Sequence, residues 1–213
     1  MNQLGIAAWA AMVGSAIFVG VFTLEGSLRP GYDPLAMHIS ALSLGPRGWI
    51  QIANFVVLGV LLALFARGVG TEFRTGKASR GGVILLATMA VMFIVSGALV
   101  MDPAATPQSQ ASIQGTIHAL AGGIIFLLMP ISIFVFLRRF RVDPKWQSMQ
   151  SWTLVLGIIE AVAVFIFIVA SKAPQVQSAV SPWLGLIQRT ALVPFMFWLF
   201  MFGLELHRRS KQG

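Results

Sequence analysis

The sequence predicts an all-α integral membrane protein, a bundle of six transmembrane helices with a short helical lid between the first two on the outer face. Three observations predict it. Of 213 residues, 57% are hydrophobic and only 10% charged, with a mean hydropathy of +0.82, far from the balance of a soluble domain. Six apolar stretches each approach the roughly 20 residues that a helix needs to cross a bilayer. The basic residues fall in short runs between those stretches, dense in every second connection.

The first span, 6–24, has no basic segment before it and reads as an uncleaved helix rather than a signal peptide. Its Ala7, Ala11 and Ser15 recur every four residues, the spacing of a helix-packing seam. Further spans read at 49–66, 81–101, 115–137, 152–171 and 185–204, so one domain covers 1–213. Gly115, Ala119 and Gly123 repeat the seam pattern, and Trp49, Trp152, Trp183 and Trp198 at span ends read as interfacial anchors. The connection 25–48 is too long for a turn. Within it Asp33, as N-cap, and Pro34, at the first helical position, predict a short helix over the mouth of the bundle.

Eleven of the fifteen Lys and Arg follow the second, fourth and sixth spans, among them Arg74, Lys77, Arg138, Arg139, Arg208 and Arg209. Arg29, Arg47, Lys172 and Arg189 belong to the other side. The positive-inside rule therefore predicts cytoplasmic termini and an outward lid. The net charge of +8 then matches anionic lipid at the cytoplasmic face rather than nucleic acid. Absence of cysteine excludes disulfides, thiolate metal sites and thiol redox chemistry.

Polar residues concentrate at the outer ends of the spans. An ionisable group at the bilayer centre costs ~2.5–3.5 kcal/mol on insertion scales, so such groups turn into the bundle and find partners. Glu25, Arg29, Tyr32, Asp33, His38 and Ser40 in the lid, with Asn54, Asp102, His118, Glu160, Gln188 and Arg189 in the spans, predict an outward polar pocket. Glu160 and Arg189 are expected to pair. Arg29 and Asp33 are expected to fold inward, setting His38 and Ser40 over Asp102 and His118.

The segments EGSLRPGYDPLAMHISALSLGPRGWIQIANFVVLGVLLALFA, GALVMDP and IHALAGGIIF resemble the bacterial and archaeal six-helix membrane family catalogued as domain of unknown function 998. The resemblance spans essentially the whole chain and implies the fold and a multi-pass protein of the prokaryotic cell membrane, without an activity. A looser likeness joins it to eukaryotic six-helix membrane proteins of the FRAG/DRAM/SFK type, linked to lipid remodelling and trafficking.

The leading functional reading is a binding module for a lipid headgroup or small amphiphile, with Arg29 and Arg189 taking an acidic group and Tyr32, Asn54 and Gln188 donating or accepting hydrogen bonds. The alternative is an intramembrane metal-dependent hydrolase acting on lipids, with His38, Asp102 and His118 as zinc ligands and Ser40 or Glu25 assisting a bound water. A further alternative is haem-based electron transfer through His38 and His118. The sequence has no Gly-x-Ser-x-Gly turn and no phosphate-cradling glycine loop.

Overall fold

The computed structural model describes residues 2–78, 80–104 and 106–211, and among them every regular element is helical. The helices are α1 (Gln3–Leu28), α2 (Gly48–Glu72), α3 (Gly81–Ala98), α4 (Ile113–Phe140), α5 (Gln150–Lys172), α6 (Pro174–Val180), α7 (Leu184–Thr190) and α8 (Val193–Ser210). Six stretches are long and apolar enough to cross a membrane, the last of them built from α6, α7 and α8 together.

Two boundaries differ from expectation in ways that matter. Helix α1 runs to Leu28, so Glu25 sits in its last helical turn rather than in a loop. The sixth span is not one helix. Ala191 N–H bonds back to the Ile187 and Gln188 carbonyls and Leu192 N–H to Arg189, which closes α7 on itself. Pro194, with no N–H to give, then sits at the start of α8, where none is needed.

Helix α1 lies between α2 and α8, where its small residues meet glycines. A methyl group at Gly68 would collide with the Ala7 side chain, and one at Gly203 would lie 2.8 Å from the Ala8 carbonyl and 2.9 Å from Ala11 Cβ. The predicted first seam thus packs helices at backbone contact. The second pattern does not: Gly115 backs onto Asp102, Ala119 is exposed and nothing lies near Gly123.

The two ends of the bundle are chemically opposite. At the end carrying both termini, Phe65, Phe73, Phe136, Phe140, Trp146 and Phe202 form a buried aromatic plug, with Phe65–Phe202 centroids 5.0 Å and Phe140–Trp146 centroids 5.3 Å apart. Arg139 and Arg209 cover its rings at 4.9 Å and 4.4 Å. Trp198 belongs to the core, not to an interface. It is fully buried, and its indole N–H donates to Thr153 Oγ1 across 3.2 Å. Trp49, Trp152 and Trp183 are exposed. The opposite end carries the lid and the polar residues.

Candidate functional site

The lid, residues 29–47, is fastened to the bundle at two places. The first is the Glu25 carboxylate, 4% exposed. It accepts Arg29 Nε at 3.0 Å on one oxygen and Arg47 Nη2 at 2.5 Å on the other, while Arg29 Nη1 reaches the Leu44 carbonyl at 2.9 Å. Gly31 (φ +76°) and Gly45 (φ +73°) turn the chain at either end of the lid in a region that favours glycine.

The second fastening is α7. The Tyr32 hydroxyl accepts Arg189 Nη2 at 2.7 Å and is within hydrogen-bonding reach of the Met37 and His38 carbonyls at 3.1 and 3.0 Å. Arg189 Nη1 donates to Met37 O at 3.2 Å and Gly185 O at 2.9 Å. The Ile39 amide donates to Gln188 Oε1 at 2.7 Å and the Leu186 amide to Leu35 O at 2.8 Å. A Cβ at Gly185 would strike the Met37 carbonyl and lie 2.7 and 2.9 Å from those of Pro34 and Leu35. Lid and α7 are therefore one packed unit. Burial pushes the Tyr32 phenol above its ordinary value even though Arg189 pulls it down. It stays neutral at pH 7, with one proton to give.

Under the lid lies a small cavity of about 30 Å³, walled by Phe55, Phe93, Ile125 and Phe126, with Ser40, Ser96, His118 and Gln188 as polar members. His118 Nδ1 sits 2.8 Å from Leu99 O and 3.0 Å from Ser96 O. Two carbonyl partners require the proton on Nδ1, which makes Nε2 the acceptor. Ser96 Oγ is buried with no partner among the described residues. The space suits a water and is too small for a headgroup.

Several expectations are corrected. His38, Asp102 and His118 do not converge, and among the described residues no three His, Asp or Glu side chains gather where they could hold a metal. Asp102 instead braces the start of α4, accepting at 2.9 Å the amide of Ser112, the N-cap residue whose hydroxyl takes the Gly115 amide. His38 turns its ring edge-on to Phe167 at 6.0 Å, whereas His118 meets Phe55 at 6.2 Å. The two imidazoles thus pack against different aromatic rings, one on α5 and one on α2. The zinc reading loses its ligand set on this geometry.

Asp33 does not fold inward. It is exposed, and its Oδ1 accepts the Leu35 amide at 2.8 Å in a local turn. The lid's helical turn begins later, at Ile39–Ser43. Asn54 donates to the Phe18 carbonyl at 3.1 Å and to Gln51 Oε1 at 3.3 Å, tying α2 to α1, and is not among the residues lining the cavity. Glu160 does not pair with Arg189, whose guanidinium is committed to the lid; its carboxylate is fully buried with no hydrogen-bond partner among the described residues. Burial, then the positive charges of Arg189 and Lys172, hold the His38 imidazole below its ordinary value.

On the flank of the bundle a groove of about 790 Å³ opens between α5 and the α7–α8 pair. Ile158, Ile159, Val162 and Ile166 of α5 face Leu186, Val193 and Pro194, and the only polar lining residues are Arg189 and Thr190. No span periodicity marks this groove, because it arises from the interruption of the sixth span. Arg47 and Gly185 were likewise absent from the sequence-derived site, though Arg47 is one of only four basic residues assigned to the lid side.

Fold and site define a multi-pass helical membrane protein whose lid is locked onto a broken last span. The chain belongs to the family described as protein of unknown function (DUF998), whose profile matches residues 12–205. No curated protein and no solved structure matches it, so the FRAG/DRAM/SFK likeness gains no support.

Proposed function

We propose that this protein binds an anionic amphiphile from the surrounding membrane, with the apolar chain in the groove between α5 and the α7–α8 pair and the acidic head at Arg189. The observation that carries the reading is the groove itself. It is large enough for an acyl chain, it is apolar along its length, and it holds a single cationic side chain. The guanidinium has three of its five N–H groups placed on Met37, Gly185 and Tyr32, so the lid orients it and leaves donors for a carboxylate or phosphate. The small cavity beside His118 serves the closed lid rather than the ligand. The distribution of Lys and Arg supports a cell membrane location with cytoplasmic termini and an outward lid, and with anionic lipid at the basic face.

The test is quenching of a reporter tryptophan in the groove, Val162→Trp, by brominated lipids in nanodiscs. Anionic lipid is expected to quench more strongly than zwitterionic lipid at equal bromine content, and Arg189→Gln is expected to abolish the difference. Equal quenching by both lipids in the parent would overturn the reading. Ala163→Leu, which narrows the groove without touching the lid, is expected to reduce quenching by both.

A further inference from the structure

Glu160 lies eleven residues into the 23-residue helix α5, at 0% exposure, and neither carboxyl oxygen has a hydrogen-bond partner among the described residues. A bare carboxylate in such a place is strongly disfavoured, and a protonated acid is not. The elements packed on α5 bring it no compensating charge. On α4, Gly157 packs against Ile133 and Phe126 against Phe167, which sets Glu160 near residues 130–132; His118 lies roughly 20 Å away along that helix, and Arg138 and Arg139 lie in its last turn. On α8, the run from Glu205 to Arg209 begins about 15 Å beyond Phe195. Lys145 is in the turn before α5, Lys172 is at its far end, α6 carries no charge, and Arg189 of α7 is turned to the lid.

What does face Glu160 is the start of α8. The Phe195 backbone amide lies toward the carboxyl without closing a hydrogen bond, and it belongs to the first turn of an 18-residue helix, where N–H groups lack intrahelical acceptors. That turn exists because the sixth span breaks at Ala191 and Leu192. Ile159 and Ala163, which flank Glu160 on α5, line the lateral groove together with Val193 and Pro194 of that break.

We propose that Glu160 is an intramembrane proton-binding site, which carries its proton while α7 and α8 are closed on α5 and releases it when the break opens. On opening, the carboxyl O–H bond breaks, the proton passes to water entering along the groove, and the carboxylate is held by the free amides of the first turn of α8. Because α7 is packed to the lid through Gly185, Gln188 and Arg189, proton release is linked to movement of the lid. The proposal goes beyond lipid binding and does not depend on what fills the groove.

Infrared spectroscopy of the whole protein in nanodiscs tests it. At neutral pH a carboxylic-acid C=O band is expected, shifting slowly in heavy water, lost as pH is raised, and missing in Glu160→Gln. Glutamine matches a neutral acid in size and polarity, so that variant should melt at or above the parent temperature at neutral pH. Protection of the amides over 191–196, after correction for the base-catalysed intrinsic exchange rate, should fall at alkaline pH in the parent and not in the variant. A parent protein without the band at neutral pH, or a variant melting well below the parent, would mean an ionised and partnered carboxylate and would overturn the proposal. The parent spectrum decides even where the variant does not fold. No lipid-binding readout enters, so this result stands apart from the quenching experiment.

Discussion

The Tyr32 hydroxyl and Arg189 Nη2, 157 positions apart in sequence, meet at 2.7 Å and join the lid to the broken last span. Tyr32 is 8% exposed, so phenylalanine fills the same space while removing the acceptor for Arg189 and the donor to the lid carbonyls. Tyr32→Phe should destabilise the protein by about 1–3 kcal/mol. Thermal melts in detergent measure the loss, and faster hydrogen exchange at the Ile39 amide assigns it to the lid.

Two glycine substitutions should separate close packing from helix preference. Gly185→Ala drives a methyl group into three lid carbonyls and should lower stability by more than ~2 kcal/mol or release the lid. Gly123→Ala, in α4 with nothing within 4 Å, should be neutral or stabilising by up to ~1 kcal/mol, since alanine is the better helix former. Equal losses at both would place Gly185 outside the lid contact.

Glu25 and Asp33 should behave oppositely although both are acidic residues at the lid. Glu25→Gln weakens both arginine contacts of a buried carboxylate, and we expect a loss of about 1–3 kcal/mol. Asp33→Asn keeps the acceptor for the Leu35 amide on an exposed turn and should change stability by less than ~0.5 kcal/mol. Chemical denaturation of both variants under one condition is the comparison.

The His38 imidazole gives the lid a pH dependence of defined sign. Its folded-state value is depressed, so an opened lid binds the proton more readily than a closed one. Closure is therefore complete above the ordinary histidine value of ~6.5 and is lost as pH falls through the depressed value. A cysteine at Ser40, which lines the cavity beneath the lid, should be alkylated slowly at pH 7 relative to a free thiol at the same pH, and that ratio should rise on acidification. His38→Gln in the same background should flatten that profile.

Sidedness is open to a direct measurement. A cysteine at Ser109, exposed at the lid end, should react with an impermeant maleimide in intact cells, and one at Thr75, exposed at the opposite end, should not. The reverse labelling would turn the lid to the cytoplasm and displace the outward orientation proposed above.

The sequence by itself determined the features that depend on local composition. Six spans follow from apolar length, the first helix seam from the four-residue recurrence of Ala7, Ala11 and Ser15, and the polar lid end from where charged residues interrupt the apolar runs. For the pocket it offered only an unordered set, Glu25, Arg29, Tyr32, Asp33, His38, Ser40, Asn54, Asp102, His118, Glu160, Gln188 and Arg189. Which of these touch was decided only by the tertiary structure. Arg189 has two conceivable acceptors for its charge, Glu160 below and the lid above, and spacing along the chain favours neither. The structure sends it upward because Tyr32, Met37 and Gly185 offer oxygens in fixed positions, while Glu160 faces the amide end of α8. Asp102 and Asp33 looked alike in sequence, each preceding a proline, yet one holds the N-cap residue of a long helix and the other closes a local turn. The lateral groove was invisible for the same reason. It is the space left when a span of sufficient apolar length breaks at Ala191 and Leu192, and hydropathy, which sums over a window, does not register a break.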